Sequence, residues 1–419
     1  MDIKITPHAL SGRLRAIASK SDAHRVLICA ALCDGAGDAF DALCARFVGG
    51  EAGFDPSEDI LATIACLRAL KSGAQIPTLD CGESGSTLRF LLPVAMAVAD
   101  TAAFDGHGRL PQRPLGELKR EMEAHGCKFS APCLPFTVCG RLTGGTYTLP
   151  GNVSSQYVTG LLLALPMLGS DSRIVLTSKL QSAAYVEMTL RTLRAFGIHI
   201  CETADGYEIP GNQHYTWPQK LAVEGDWSNA AFFLTAGMLG SPVTVTDLMP
   251  DSPQADRAIA VLLAGFGADC KNVGGDYTVA PAAVGKPMRI DVSECPDLFP
   301  ILSVAAAGVC GETVLENAAR LRLKESDRIQ TTAQMLQALG GNVSEREDAL
   351  VIYGTGKLHG GCVDSCGDHR IAMAAAIASV LCEEPVVIGR AEAVRKSYPR
   401  FFEDFRQLGG IADVIGTGK

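Results

Sequence analysis

Apolar residues along the chain fall into two alternating kinds of stretch. In the first they recur at three- and four-residue spacing and the stretch stops at a glycine: Leu115 to Gly126, Tyr185 to Gly197, Ala255 to Gly267, Arg328 to Gly340 and Arg400 to Gly409. That spacing lines one helix face with apolar side chains, so each predicts an amphipathic surface helix of about three turns ended by its glycine. In the second kind, Leu88 to Val98, Val158 to Leu168, Asn229 to Leu239, Leu298 to Val309 and His369 to Leu381, charge is nearly absent all round. A helix apolar on every face is a buried helix. Two short β-like runs follow each surface helix, and the stopping glycines recur at steps of about 70 residues. Each step therefore reads as buried helix, strand, surface helix, paired strands. Repeated about six times, the pattern predicts an α+β fold of two similar halves, each a bundle of buried helices walled by sheets of mixed parallel and antiparallel strands.

The opening run Met1 to Ile5 alternates like a strand, and the residues alone leave open which half it joins. The boundary between the halves falls most naturally at Val223-Glu224-Gly225-Asp226, after the turn-rich stretch 210–214 and before a new buried helix. The expected division is 19–224 as one domain and 1–18 plus 225–419 as the other.

Composition narrows the function classes. The 419 residues carry 37 Lys+Arg against 46 Asp+Glu, a net charge of −9, which argues against a nucleic-acid stripe. No apolar run approaches the roughly 18 residues of a membrane span, and the start has no signal-like apolar segment, so a cytoplasmic location is expected. The 15 cysteines form no C-x-x-C pair and read as reduced thiols, mostly buried in apolar runs, as at Cys29, Cys66 and Cys310. Cys362, Cys366 and His369 are spaced loosely like zinc ligands but lack a fourth, so no metal is expected. Gly354-Thr355-Gly356-Lys357 lacks the spacing of a nucleotide loop.

The chemistry-bearing residues gather just before the predicted buried helices. Ser19-Lys20-Ser21 with Arg25, Gly85-Ser86 with Arg89, and Ser154-Ser155-Gln156 each place hydroxyls, an amide or cations where free backbone N–H groups make an anion site. Pro296-Asp297, Lys324-Glu325-Ser326-Asp327-Arg328, Asp368-His369-Arg370 and Lys396-Ser397-Tyr398-Pro399 put ionised groups at four further helix starts. Cations at a helix N-terminus are unfavourable unless an anion joins them.

Taken in order with Arg113-Pro114, these motifs resemble the EPSP synthase family of enolpyruvyl transferases, and the resemblance runs from Ser19 to beyond Phe402. It implies two similar domains, each of three βαβαββ repeats, an inside-out α/β barrel. It also implies transfer of the enolpyruvyl group of phosphoenolpyruvate to the 5-hydroxyl of shikimate 3-phosphate with release of phosphate, without metal or organic cofactor, by a monomer acting on small molecules and on neither nucleic acid nor membrane. For shikimate 3-phosphate the resemblance implies Ser21 and Arg25 at the carboxylate, Ser154, Ser155 and Ser182 around the phosphate, Gln156 and Tyr185 beside the ring, and Asp297, Arg320 and Lys324 in contact. For phosphoenolpyruvate it implies Arg113 and Lys396 as a phosphate clamp, Arg328 with Arg370 as a carboxylate fork, and Gly85 and Gln156 in contact. Lys20 touches both substrates, Asp297 is the base and Glu325 the acid. The two substrates together carry roughly five to six negative charges, each phosphate monoester supplying about 1.5 to 2. Lys20, Arg25, Arg113, Lys324, Arg328, Arg370 and Lys396 supply seven cations on a chain that is acidic overall.

Three positions depart from the family's usual residues: Glu83 and Arg320 stand where Asn is common, and Ser86 where Thr is. Two other readings compete. A sister enolpyruvyl transferase acting on UDP-N-acetylglucosamine often carries a Cys before its Arg-Pro, whereas the loop 108–114 has none. A non-catalytic repeat or clamp protein would need no acid–base pair and, around nucleic acid, would need a basic face.

Overall fold

The computed structural model describes every residue except 52, 53, 55, 282–284 and 417–419. The chain forms two compact units, Met1–Ser19 with Glu224–Lys419, and Lys20–Val223.

In the first unit, three nearly all-apolar helices, Trp227–Leu239, Phe299–Ala307 and His369–Ala378, pack on one another and on three sheets. Each sheet is open, has four strands and comes from one βαβαββ repeat. In the repeat from Arg289 to Gly354 the strand Gly311–Glu316 pairs parallel with Arg289–Asp291 and antiparallel with Leu350–Gly354, whose other edge holds Asn342–Glu345. The other two repeats are each completed by a strand from the chain's start. Gly12–Arg15 lies parallel to Val243–Thr246, and Asp2–Thr6 lies antiparallel between Val386–Gly389 and Ile411–Gly416. The question of which half the opening strand joins is thus answered by register: Ile3 and Ile5 point into the first unit's core.

The second unit holds two such repeats. One runs from Thr78–Asp80 to Phe136–Cys139 and the other from Thr146–Leu149 to Gly206–Ile209, with Gly85–Val98 and Ser155–Ala164 as their buried helices. The third repeat is helical among its described residues: the buried helix Lys20–Leu32 is followed by Gly37–Val48 and Glu58–Lys71, without a sheet of its own. The sequence explains this departure. Phe40, Leu43, Cys44 and Phe47 recur at helical spacing and are buried together, so a strand there would put half of them into water.

Four of the buried helices start on side-chain caps: Ser84 accepts from Thr87 N, Ser154 from Gln156 N, Asp226 from Asn229 N and Asp368 from Arg370 N. Each cap satisfies one otherwise unpaired helix N–H and lets charged residues stand at the mouth of an apolar helix. Gly160 sets how closely two of these helices approach. A Cβ there would lie 2.2 Å from the Arg89 carbonyl oxygen.

All 15 cysteines are free. Eight are buried, but Cys310, placed by its apolar neighbours in a core, is exposed, as are Cys133, Cys139, Cys201 and Cys362. Cys310 follows the buried helix Phe299–Ala307 at the turn into the next strand, where the chain has already left the core. Among the described residues no group of His, Cys, Asp and Glu is arranged to hold a metal, and no helix is long and apolar enough to cross a membrane.

Candidate active site

In the first unit five of the expected residues meet around one buried guanidinium. Arg328, 1% exposed, donates from Nη1 to Asp297 Oδ1 at 2.8 Å, from Nη2 to Glu325 Oε2 at 2.6 Å and from Nε to Asp368 Oδ2 at 2.9 Å. Arg370 Nη2 donates to the other Asp297 oxygen at 2.9 Å, and Lys324 Nζ stands 3.7 Å from Oδ1. These carboxylates come from three separate helix starts, those of Phe299–Ala307, Arg328–Ala338 and His369–Ala378. Three cations face three carboxylates, which is what allows so much charge to sit at an apolar core. Burial alone would raise the Asp297 carboxyl, but Arg370, Lys324 and Arg328 outweigh it and hold the group well below the usual carboxylate range. Burial likewise opposes the Arg328 charge, and Asp368, Glu325 and Asp297 overcome it, so Arg328 is held more firmly protonated than usual.

Lys396 donates to the Gly367 carbonyl at 2.8 Å, on the turn that leads into Asp368 and Arg370, so it borders this cluster. Its neighbour Ser397 accepts from buried Asn229 at 3.2 Å. Arg320 is held at the Ser293 carbonyl at 3.0 Å, a different turn from the Arg328 cluster. Asp256 was missed in the sequence, where it reads as one more surface charge. It is fully buried, hydrogen-bonded by Ser228, and its carboxyl is pushed up to about 6 by burial and by the charge of Asp297.

In the second unit Lys20 donates to Asp59 at 2.6 Å. Arg25 is enclosed by Thr189 Oγ1 and the carbonyls of Ser21 and Tyr185, so burial pushes its guanidinium down to about 10. It ties the start of one helix, at Ser21, to the start of another, at Tyr185. Ser182 caps that second start in a left-handed conformation, φ +56°, which a non-glycine residue adopts at a cost. Ser154 and Ser155 begin the Ser155–Ala164 helix, and Gln156 there donates to Ser86 at 2.9 Å. Gly85 leaves space that guanidinium groups fill: a Cβ on it would lie 2.7 Å from Nη1 of both Arg113 and Arg89. Lys20, Gly85, Arg113 and Gln156 thus border helix starts of one unit, as do Arg25, Ser182 and Tyr185. Asp59 was not singled out in the sequence, and Arg89 only as the cation that follows Gly85-Ser86. The two acids in Ser57-Glu58-Asp59 read as first-turn charges, and the pairing of Asp59 with Lys20 spans 39 residues.

The second unit thus gathers cations and hydroxyls at helix starts, and the first gathers three carboxylates and three cations around Arg328. The profile described as EPSP synthase (3-phosphoshikimate 1-carboxyvinyltransferase) matches residues 5–405. The chain belongs to the EPSP synthase family. A 3-phosphoshikimate 1-carboxyvinyltransferase of Clostridium novyi (strain NT) is 42% identical with all of both chains covered, and one of Clostridioides difficile (strain 630) is 38% identical, covering 100% of this chain and 99% of the relative. The solved EPSP synthase of Acinetobacter baumannii superposes with a TM-score of 0.78 at 25% identity, over 99% of this chain and 100% of that one. The enolpyruvyl transferase NikO of Streptomyces tendae shares the fold, with a TM-score of 0.74 at 16% identity over 98% of each chain.

Proposed function

We propose that the protein transfers the enolpyruvyl group of phosphoenolpyruvate to the 5-hydroxyl of shikimate 3-phosphate and releases phosphate. The observation that carries the mechanism is the shared guanidinium: Arg328 holds Asp297 and Glu325 at once, so a base and an acid stand on either side of one cation. The reaction calls for such a pair. The 5-hydroxyl must lose a proton to a carboxylate as the methylene carbon of phosphoenolpyruvate gains one, giving a tetrahedral adduct; reversal of the carbon's protonation then expels phosphate. Asp297 is the base and Glu325 the acid in this reading, with Lys20 and Lys324 steadying the developing negative charge.

Asp297 engaged by Arg328, Arg370 and Lys324 is a weak base. The carboxylate of phosphoenolpyruvate, binding Arg328 and Arg370 as a fork, draws those donors away from Asp297 and raises its proton affinity when the hydroxyl needs it. The phosphate of the same substrate is read as bound by Arg113, Lys396 and Gln156, beside Gly85. Shikimate 3-phosphate is read as bound by Ser154, Ser155 and Ser182 at its phosphate and by Ser21, Arg25 and Tyr185 about its ring and carboxylate, with Arg320 reaching it from the turn at Ser293. Residues 20–223 carry most of these latter groups, and the remainder of the chain carries the acid and base of this reading. A monomer suffices because one chain holds every group, and 15 free thiols on an acidic chain suit the cytoplasm.

Phosphate release with phosphoenolpyruvate and each candidate acceptor tests the reading. Release with shikimate 3-phosphate and none with UDP-N-acetylglucosamine is expected; the reverse, or none with either, overturns it.

A further inference from the structure

Arg89 has no part in the mechanism above, yet its guanidinium is 4% exposed in the second unit. Nη1 donates to Gln156 Oε1 at 2.7 Å and Nη2 to the Pro114 carbonyl at 3.1 Å. The Tyr157 hydroxyl donates to that same carbonyl at 2.5 Å, and the guanidinium carbon lies 5.8 Å from the Tyr157 ring centre. One side chain therefore touches the residue after Arg113 and the amide of Gln156.

The polarity of these contacts matters. The two ends of a glutamine amide have nearly the same shape but opposite hydrogen-bonding character, so a neighbour must choose between them. A guanidinium only donates, and Arg89 can satisfy only the oxygen end. With Oε1 held, Nε2 turns toward Ser86 Oγ, to which it donates at 2.9 Å, and keeps a second N–H to offer. A donor-only face suits an anion; the flipped amide would present an oxygen and repel it. The pairing is built into the backbone as well. Gly160 lets the Ser155–Ala164 helix lie against the Arg89 carbonyl, where a Cβ would be 2.2 Å away, and this brings Gln156 within reach of the Arg89 side chain.

We propose that Arg89 is a positioning residue that fixes the Gln156 amide with its N–H donors toward the phosphoenolpyruvate anion and holds the Arg113-Pro114 segment beside it. The inference rests on the reading of Gln156 as a ligand of that substrate. It assigns Arg89 no contact with the reacting atoms.

Steady-state kinetics of Arg89→Met, Arg89→Lys, Gln156→Ala and the Arg89→Met/Gln156→Ala double variant test it, with circular dichroism to confirm folding. Gln156→Ala is expected to raise KM for phosphoenolpyruvate roughly 10- to 100-fold, the range for one hydrogen bond to a charged group. Arg89→Met should raise it comparably while KM for shikimate 3-phosphate stays within about twofold, and the double variant should be no worse than the poorer single one, because both changes remove one arrangement. Arg89→Lys, which keeps a single cationic donor nitrogen, should fall between parent and Arg89→Met, and it carries the test if Arg89→Met does not fold. A general loss of packing would instead move both KM values and kcat together. Penalties that multiply in the double variant, or a parental KM in Arg89→Met beside a raised one in Gln156→Ala, would overturn the positioning role. A parental KM in Gln156→Ala would overturn the reading of Gln156 and the inference with it.

Discussion

At the scale of single residues the first unit concentrates charge where an apolar core begins, and the sign of each perturbation predicts behaviour. Asp297→Asn and Glu325→Gln keep the shape of the cluster but remove a proton acceptor and a donor. Each should lower kcat by roughly 10²- to 10⁴-fold with unfolding unchanged in cooperativity; turnover within threefold of the parent would remove that residue from its role. Asp256 titrates in the opposite sense to a paired carboxylate. Its folded-state value, raised to about 6 from 3.8, means the native state binds a proton more tightly than the unfolded chain does. Its ionisation therefore costs stability as pH rises from about 4 through 6, and the cost is fully present above that window. Asp256→Asn should accordingly stabilise the protein at pH 8 relative to its effect at pH 4, measured as the difference in urea midpoint; an equal effect at both values would show that burial does not perturb this carboxyl. In the sequence Asp297, Glu325 and Arg328 stood out through the motifs that resemble the family, since a charge at a helix start is by itself ordinary. Asp256 did not, because its burial depends on segments far along the chain.

At the scale of elements, helix starts organise the site, and the packing of two helices in the second unit depends on a missing side chain. Gly160→Ala places a Cβ 2.2 Å from the Arg89 carbonyl oxygen, closer than real contacts allow, so the helices Gly85–Val98 and Ser155–Ala164 must separate. Overpacking of this kind costs about 1–3 kcal/mol, to be read as a lower melting temperature. Because the same separation draws Gln156 from Arg89, KM for phosphoenolpyruvate should rise as well; a drop in melting temperature with parental KM would confine Gly160 to stability. The buried helices were the most legible part of the chain: the runs beginning at Leu88, Val158, Asn229, Leu298 and His369 lie within helices or their continuing turns, since freedom from charge over ten residues leaves few alternatives. The segment 34–75 drew no such expectation, and there the structure has helices in place of a repeat's strands.

At the scale of the whole molecule, five βαβαββ repeats and one that is helical among its described residues share one plan, and the cysteines are expected to stand outside the chemistry. Cys133, Cys139, Cys201, Cys310 and Cys362 are exposed. Alkylating the accessible thiols of the native protein should leave phosphate release within about twofold of the untreated enzyme; loss of activity without unfolding would implicate a thiol. The amino-acid sequence by itself determined the local elements and the charged helix starts, because apolar periodicity and charge beside an apolar run are properties of neighbouring residues; the reading of Asp297 and Glu325 as base and acid came from the family resemblance. Only the tertiary structure decided that Asp2–Thr6 completes a sheet with Val386–Gly389 and Ile411–Gly416, that Arg328 gathers Asp297, Glu325 and Asp368, and that Arg89 faces Gln156. Those pairings join residues up to hundreds of positions apart, and they are selected by strand register and by the need to neutralise buried charge, which no local pattern encodes.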